Sequence, residues 1–263
     1  MVKKTIKDFT VKSAQHLSEA YTLLKLTPTD GTEVTPALPG QFVQVAVPDA
    51  PNTFLRRPIS VNFIDRSDNT LWLLVRNAGE GTSRLCGMKT GEHLNIILPL
   101  GNGFSIPEKN DGKPQRLLLV GGGVGVAPLL YLGHKLAAGG HTPEFLLGAR
   151  SSADLLELDE FKRIGTVHIA TDDGSAGVHG LVTQHPAINS QDIDCIYCCG
   201  PAPMMKAVAA IARQNNVTCE VSLENMMACG LGACLCCVEN TVKGNVCVCT
   251  EGPVFNITQL TWQ

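Results

Sequence analysis

The chain has 263 residues, a formal net charge of −3 and 44% hydrophobic residues. That length is long for one domain and comfortable for two, and it buries a core without staples. The slightly acidic balance, with no Lys/Arg run, argues against nucleic acid or an anionic membrane surface as the main partner.

Met1-Val2-Lys3-Lys4-Thr5-Ile6-Lys7-Asp8 has two early lysines but no apolar core behind them, so no signal peptide is expected. No apolar run approaches the roughly 18 residues of a membrane span. The expectation is a cytoplasmic protein without membrane association. The sequence counts 11 cysteines, and only Cys86 precedes residue 190. Without secretion these thiols stay reduced, so a dense cluster of them points to a metal site rather than a disulfide framework.

In chain order, 1–108 reads as β. Short apolar or alternating runs at 21–26, 41–47, 59–64, 71–75 and 94–98 are separated by turn residues such as Pro39-Gly40, Asp68-Asn69 and Gly101-Asn102-Gly103. Strands at this spacing predict an antiparallel barrel or sandwich. One short helix is expected over 82–88. Residues 108–114, polar and turn-rich, are the expected domain boundary.

From Arg116 the period changes. An apolar strand at 117–120 leads into a glycine loop and a helix over 127–138 that stops at Gly139-Gly140. Further strands are predicted at 144–147, 166–170 and 195–198, with helices over 153–164 and 202–215. Strands alternating with helices predict a parallel-sheet α/β domain over 109–218. The remainder, 219–263, is too short and too rich in Gly and Cys to support a core of its own.

The tail carries the most specific signal. Cys229, Cys234 and Cys237 give C-x4-C-x2-C with a distant fourth cysteine, the plant-type [2Fe–2S] spacing. Gly230 and Gly232 let backbone N–H groups turn toward the sulfurs and tune the potential. A zinc site built on Cys234, Cys237, Cys247 and Cys249 is the alternative, and it leaves Cys229 and both glycines unexplained. Cys247 and Cys249 lie two apart on one strand face, so spacing alone permits either as fourth ligand. Cys236 is expected to point away from the cluster as a small buried hydrophobe.

Two loops suit phosphate. Gly121, Gly122, Gly123 and Gly125 follow an apolar strand and open a helix, which allows close approach of a diphosphate; tight strand-to-helix packing is the competing explanation. In the β region Leu74, Val75 and Arg76 precede Gly79-Glu80-Gly81-Thr82, where Gly81 allows close backbone approach and Thr82 is expected to cap the short helix. Arg56-Arg57-Pro58-Ile59-Ser60 adds a guanidinium fork for phosphate and a hydroxyl suited to a ring nitrogen.

Together these motifs resemble the ferredoxin–NAD(P)⁺ reductase superfamily. Arg57, Pro58, Ile59 and Ser60 are similar to its flavin signature, and Gly79-Glu80-Gly81-Thr82 to its flavin diphosphate loop. Leu119 to Pro128 and Cys199, Gly200, Pro201 are similar to its two nicotinamide-side motifs. Within it, Glu224 to Gly230 and Cys249-Thr250-Glu251-Gly252-Pro253-Val254-Phe255 resemble the dihydroorotate dehydrogenase B electron-transfer subunits. The resemblance covers essentially the whole chain.

It implies an FAD-binding β-barrel (1–108), an NAD-binding α/β domain (109–218) and a [2Fe–2S] segment (219–263) with Cys249 as fourth ligand. It implies a partner as well, an FMN-containing dihydroorotate dehydrogenase subunit in a heterotetramer. Electrons would pass from dihydroorotate through FMN, the cluster and FAD to NAD⁺, serving pyrimidine biosynthesis. Two features depart from the pattern: Ile59 stands where many relatives have Tyr, and Cys236 and Cys247 are extra thiols. No catalytic acid–base pair is expected, because His134, His141, His168, His179 and His185 are scattered, so substrate chemistry belongs to the partner. NAD is favoured over NADP by resemblance, although Arg150 with Ser151 and Ser152 suits a 2′-phosphate. A reductase subunit for a hydrogenase, oxygenase or ferredoxin is the rival enzyme reading, and a zinc-stabilised, non-redox binding module the rival of another class.

Overall fold

A computed structural model describes residues 3–108 and 115–262. The expected boundary at 108–114 therefore lies, beyond Glu108, outside the described residues. The chain forms two compact units: 1–103 with 225–239 and 246–253, and 104–224 with 240–245 and 254–263. Residues 219–263 are thus shared between the units.

The first unit is an antiparallel half-barrel. Its strands are β1 (Thr5–Ser18), β2 (Tyr21–Pro28), β3 (Phe42–Val45), β4 (Arg57–Ser60), β5 (Phe63–Asp65), β6 (Thr70–Arg76) and β7 (His93–Leu100), in sheet order β4-β3-β7-β1-β2-β6-β5. Only Phe9 and Val11 of β1 are fully buried, so the strand carries little apolar signal. It forms because its backbone pairs with β2 on one side and β7 on the other. The predicted strand over 59–64 is two strands, β4 and β5, broken at Val61-Asn62. The core is aliphatic: Leu24, Leu26, Leu71, Leu73, Leu94 and Ile96 are among its fully buried side chains.

The short helix α1 (Glu80–Cys86) begins two residues earlier than expected. Gly79 is its N-cap, and Thr82 is the third helical residue rather than the cap. The Thr82 hydroxyl accepts from the Ala78 and Gly79 N–H groups at 2.9 and 3.1 Å, which satisfies the same backbone from inside the helix.

The second unit is α/β. Strand β8 (Arg116–Gly122) is followed by α2 (Ala127–Ala138), β9 (Thr142–Ala149), α3 (Leu158–Ile164), β10 (Thr166–Thr171), β11 (Val178–His179), β12 (Cys195–Cys199), α4 (Ala202–Gln214) and β13 (Thr218–Ser222). The helix expected over 153–164 is shorter, because Glu157 adopts a left-handed φ of 53° just before α3. The tail adds the paired strands β14 (Val238–Thr241) and β15 (Gly244–Cys247), a single turn α5 (Val248–Glu251), and β16 (Val254–Asn256). The sheet order is β11-β10-β9-β8-β12-β13-β16, parallel except for β16. Among the described residues no helix is long and apolar enough to cross a membrane.

Candidate functional site

In the second unit, successive strands after β8 run outward through β9, and β12 then returns to the other flank of β8. The strand order reverses between β8 and β12, and in open α/β sheets ligands bind beyond the carboxyl ends at such a point. Both predicted nucleotide motifs lie there. Gly121 pairs in register with Cys199, and the chain turns through Gly123–Val126 into α2, while Gly200-Pro201 leads into α4.

The glycines serve this packing directly. A Cβ on Gly125 would lie 2.5 Å from the Cys199 carbonyl oxygen and 2.5 Å from Gly200 Cα. One on Gly122 would meet Met204 Sδ at 2.6 Å and Pro201 Cδ at 3.2 Å. Gly123, at φ 55°, makes the turn. Gly122 and Gly125 are thus close-packing residues, and the loop they build presents backbone to the strand ends.

In the first unit, Arg56 and Arg57 have separate tasks. The Arg56 guanidinium donates to the Asn95 carbonyl at 2.9 Å and the Gln44 carbonyl at 3.3 Å, tying the approach to β4 to β7 and β3. Arg57 donates to the Leu55 carbonyl at 2.9 Å and lies over Gly81, whose hypothetical Cβ would be 2.7 Å from Arg57 Nε. Gly81 is therefore required for the guanidinium to meet the 79–82 backbone. Leu74 and Val75 are buried, so they offer a ligand only backbone, whereas Arg76 is exposed. Ile59 and Ser60 are half-buried on β4.

The cysteines of the tail converge within the same unit. The Cys229 sulfur lies beside Cys234, and the Cys237 sulfur adjoins both Cys249 and Cys247. Backbone donors surround them: Leu231 N–H reaches Cys229 Sγ at 3.3 Å, Gly232 N–H reaches Cys249 Sγ at 3.1 Å, and Cys249 N–H reaches Cys237 Sγ at 3.4 Å. The turn needs glycine, because Gly230 and Gly232 have φ of 69° and 83°. The Leu231 N–H, foremost, lowers the Cys229 thiol to about 6. Burial, followed by the adjoining Cys237 sulfur, raises Cys249 to about 12. Among the described residues no three His, Cys, Asp or Glu side chains are grouped around a single-ion position.

Cys247 also borders this set, but its thiol donates to the Gly232 carbonyl at 3.9 Å. Cys236 is exposed, not the buried hydrophobe expected, because it lies in a segment, 233–236, that is exposed throughout. Sequence reasoning missed Asn102. Its backbone N–H donates to the Gly252 carbonyl at 2.5 Å, and its side-chain amide donates to the Thr250 and Glu251 carbonyls at 3.3 and 2.9 Å. It secures the segment that bears Cys249. The histidines are not all scattered: His168 bonds Glu144 at 3.1 Å, and its ring lies 5.3 Å from that of His185.

Residues 224–261 match the iron–sulfur cluster binding domain of dihydroorotate dehydrogenase B, and residues 119–210 match the oxidoreductase NAD-binding domain. A dihydroorotate dehydrogenase B (NAD⁺) electron-transfer subunit of Shouchella clausii is 42% identical over 84% of this chain and 86% of its own length. The corresponding subunit of Caldanaerobacter subterraneus is 44% identical over 82% of this chain and 84% of its own. The chain belongs to the dihydroorotate dehydrogenase B electron-transfer subunit family. As a member of that family it is an oxidoreductase subunit.

The family fold is shared more widely. The structure of an NADH-dependent reduced ferredoxin–NADP oxidoreductase superposes with a TM-score of 0.84 at 28% identity, covering 97% of this chain and 90% of that one. The FAD/NAD-binding domain of a Vibrio cholerae nitric oxide dioxygenase has the same fold, with a TM-score of 0.71 at 22% identity over 82% of this chain and 98% of that one.

Proposed function

We propose that this chain carries electrons from an FMN-containing dihydroorotate dehydrogenase subunit, through its own [2Fe–2S] cluster and FAD, to NAD⁺ in the cytoplasm. The observation that carries this reading is the gathering of Cys229, Cys234, Cys237 and Cys249 in one cysteine loop, where backbone N–H groups point at the sulfurs of Cys229, Cys237 and Cys249. Cys229, Cys234, Cys237 and Cys249 would supply the four thiolates that a [2Fe–2S] centre needs. Cys249 is the better fourth ligand than Cys247, since its sulfur receives an N–H whereas Cys247 faces a carbonyl oxygen. An N–H supports a thiolate; a carbonyl supports a protonated thiol.

Arg57 and the 79–82 backbone hold the flavin diphosphate, with Gly81 admitting the guanidinium and Thr82 holding the loop. Pro58, Ile59 and Ser60 line the flavin ring, and Leu74, Val75 and Arg76 border it largely through backbone. Gly121, Gly122, Gly123 and Gly125, with Cys199, Gly200 and Pro201, shape the nicotinamide nucleotide site at the strand-order reversal. Flavin exchanges hydride with nicotinamide and single electrons with an iron–sulfur centre, which is why both groups are needed. Ser151 donates to the Asp154 carboxylate at 3.0 Å, a negative group unfavourable to a 2′-phosphate, in keeping with NAD.

Met226, Leu231 and Leu235 are 83%, 47% and 65% exposed along the cysteine segment, an apolar surface suited to the partner subunit of a heterotetramer. Co-expression with the partner subunit tests the assignment. Dihydroorotate-dependent NAD⁺ reduction only by the pair, with two irons and one FAD per copy, supports it. The same cofactors without that activity assign the chain to another electron donor, and zinc without flavin overturns it.

A further inference from the structure

Gln44 sits in the middle of β3, fully buried, and among the described residues neither its side-chain oxygen nor its nitrogen has a hydrogen-bond partner. Its neighbours on either strand, Pro58 of β4 and Ile97 of β7, provide none through their side chains. Gln41, three residues earlier, is fully engaged by contrast: its oxygen accepts from Leu38 N–H at 2.7 Å and its nitrogen donates to the Gly101 carbonyl at 2.6 Å. A buried carboxamide with both ends unpaired is rare, and it is retained where something satisfies it.

Gly230, the residue after Cys229, lies directly against it. A Cβ there would come within 2.7 Å of Gln44 Cγ and 2.9 Å of its Nε2, with Leu100 Cδ1 next at 3.2 Å. The cysteine loop thus closes onto the Gln44 amide, and only glycine permits it. The amide supplies two N–H donors on the barrel side of the loop, opposite in origin to the loop's own Leu231 and Gly232 donors.

Resting on the cluster assignment above, we propose that Gln44 is a positioning residue of the iron–sulfur centre: its amide donates to the sulfur shell at Cys229–Gly230 and raises the cluster's reduction potential. N–H donors favour the more negative, reduced cluster. Because Gln44 pairs in register with Pro58, the strand that sets the cluster's potential lies directly beside the strand that lines the flavin.

Gln44→Met keeps the side-chain length and removes the donor. In the purified holoprotein, a dye-mediated redox titration followed by electron paramagnetic resonance is expected to show unchanged iron, sulfide and FAD. Reduction of the cluster should become about two- to tenfold less favoured, with the flavin titration unmoved. An unaltered cluster potential with intact cofactors overturns the inference and leaves the cluster assignment standing.

If the variant fails to assemble, wild-type protein made with side-chain ¹⁵N-glutamine decides. A ¹⁵N coupling to the reduced cluster in pulsed resonance supports the contact, and its absence overturns it. Wild-type protein lacking iron overturns both this inference and the reading on which it rests.

Discussion

The Gly232 amide points at the Cys249 sulfur from 3.1 Å, while the neighbouring Gly232 carbonyl takes the Cys247 thiol at 3.9 Å. One peptide segment thus treats two candidate ligands oppositely. Cys249→Ser is expected to abolish the iron and acid-labile sulfide of the purified protein, whereas Cys247→Ser keeps both at wild-type stoichiometry. Iron and sulfide analysis with visible absorbance reads this directly, and the reverse pattern would reassign the fourth ligand.

Arg57→Ala should weaken FAD binding by about ten- to a hundredfold, the range of a lost charge-assisted hydrogen bond. Equilibrium dialysis or flavin fluorescence measures it. Arg56→Ala should instead lower thermal stability, because its guanidinium ties backbone carbonyls of β3 and β7. Full FAD retention by Arg57→Ala would remove Arg57 from the diphosphate site.

Gly125→Ala places a methyl group 2.5 Å from the Cys199 carbonyl and Gly200 Cα. Overpacking of this kind costs about 1–3 kcal/mol. The variant is expected to bind NADH more weakly while keeping the flavin and iron–sulfur spectra, as titration calorimetry and absorbance would show.

Arg116 donates to Glu144 at 2.6 Å, and this contact, foremost, holds the Glu144 carboxyl below its ordinary value; burial opposes it and His168 assists. A carboxyl depressed on folding contributes stability above its unfolded value and loses it as pH falls through the folded one. Glu144→Gln should therefore destabilise the protein at pH 7 and converge with wild type in acid. Parallel denaturation curves at both pH values would refute this.

Much of this was legible in the residues, for local reasons. Helix α2 runs over the predicted 127–138 because Ala-Pro starts it and Gly139-Gly140 stops it, signals contained within one segment. The C-x4-C-x2-C spacing identified the cysteine loop because covalent spacing limits which sulfurs meet. Strand β1 escaped notice because its burial depends on partners 3 to 93 residues away rather than on its own alternation. Gln44 and Asn102 were equally hidden, the first as one polar letter in an apolar strand and the second as a turn residue. Their meaning comes from backbone that arrives from the tail.

Asn102 grips the Glu251 carbonyl across 149 residues of sequence. At the roughly 5–20 residues per second of ribosomal synthesis, the half-barrel emerges some 7–30 s before the segment that completes it. Throughout that interval the second unit is being made, and the surface destined for the cysteine loop stands exposed on the nascent barrel. Loading of iron is therefore a late event in the life of each molecule, and a chain cut short by a few dozen residues would keep the barrel and most of the second unit but lack the cysteine loop.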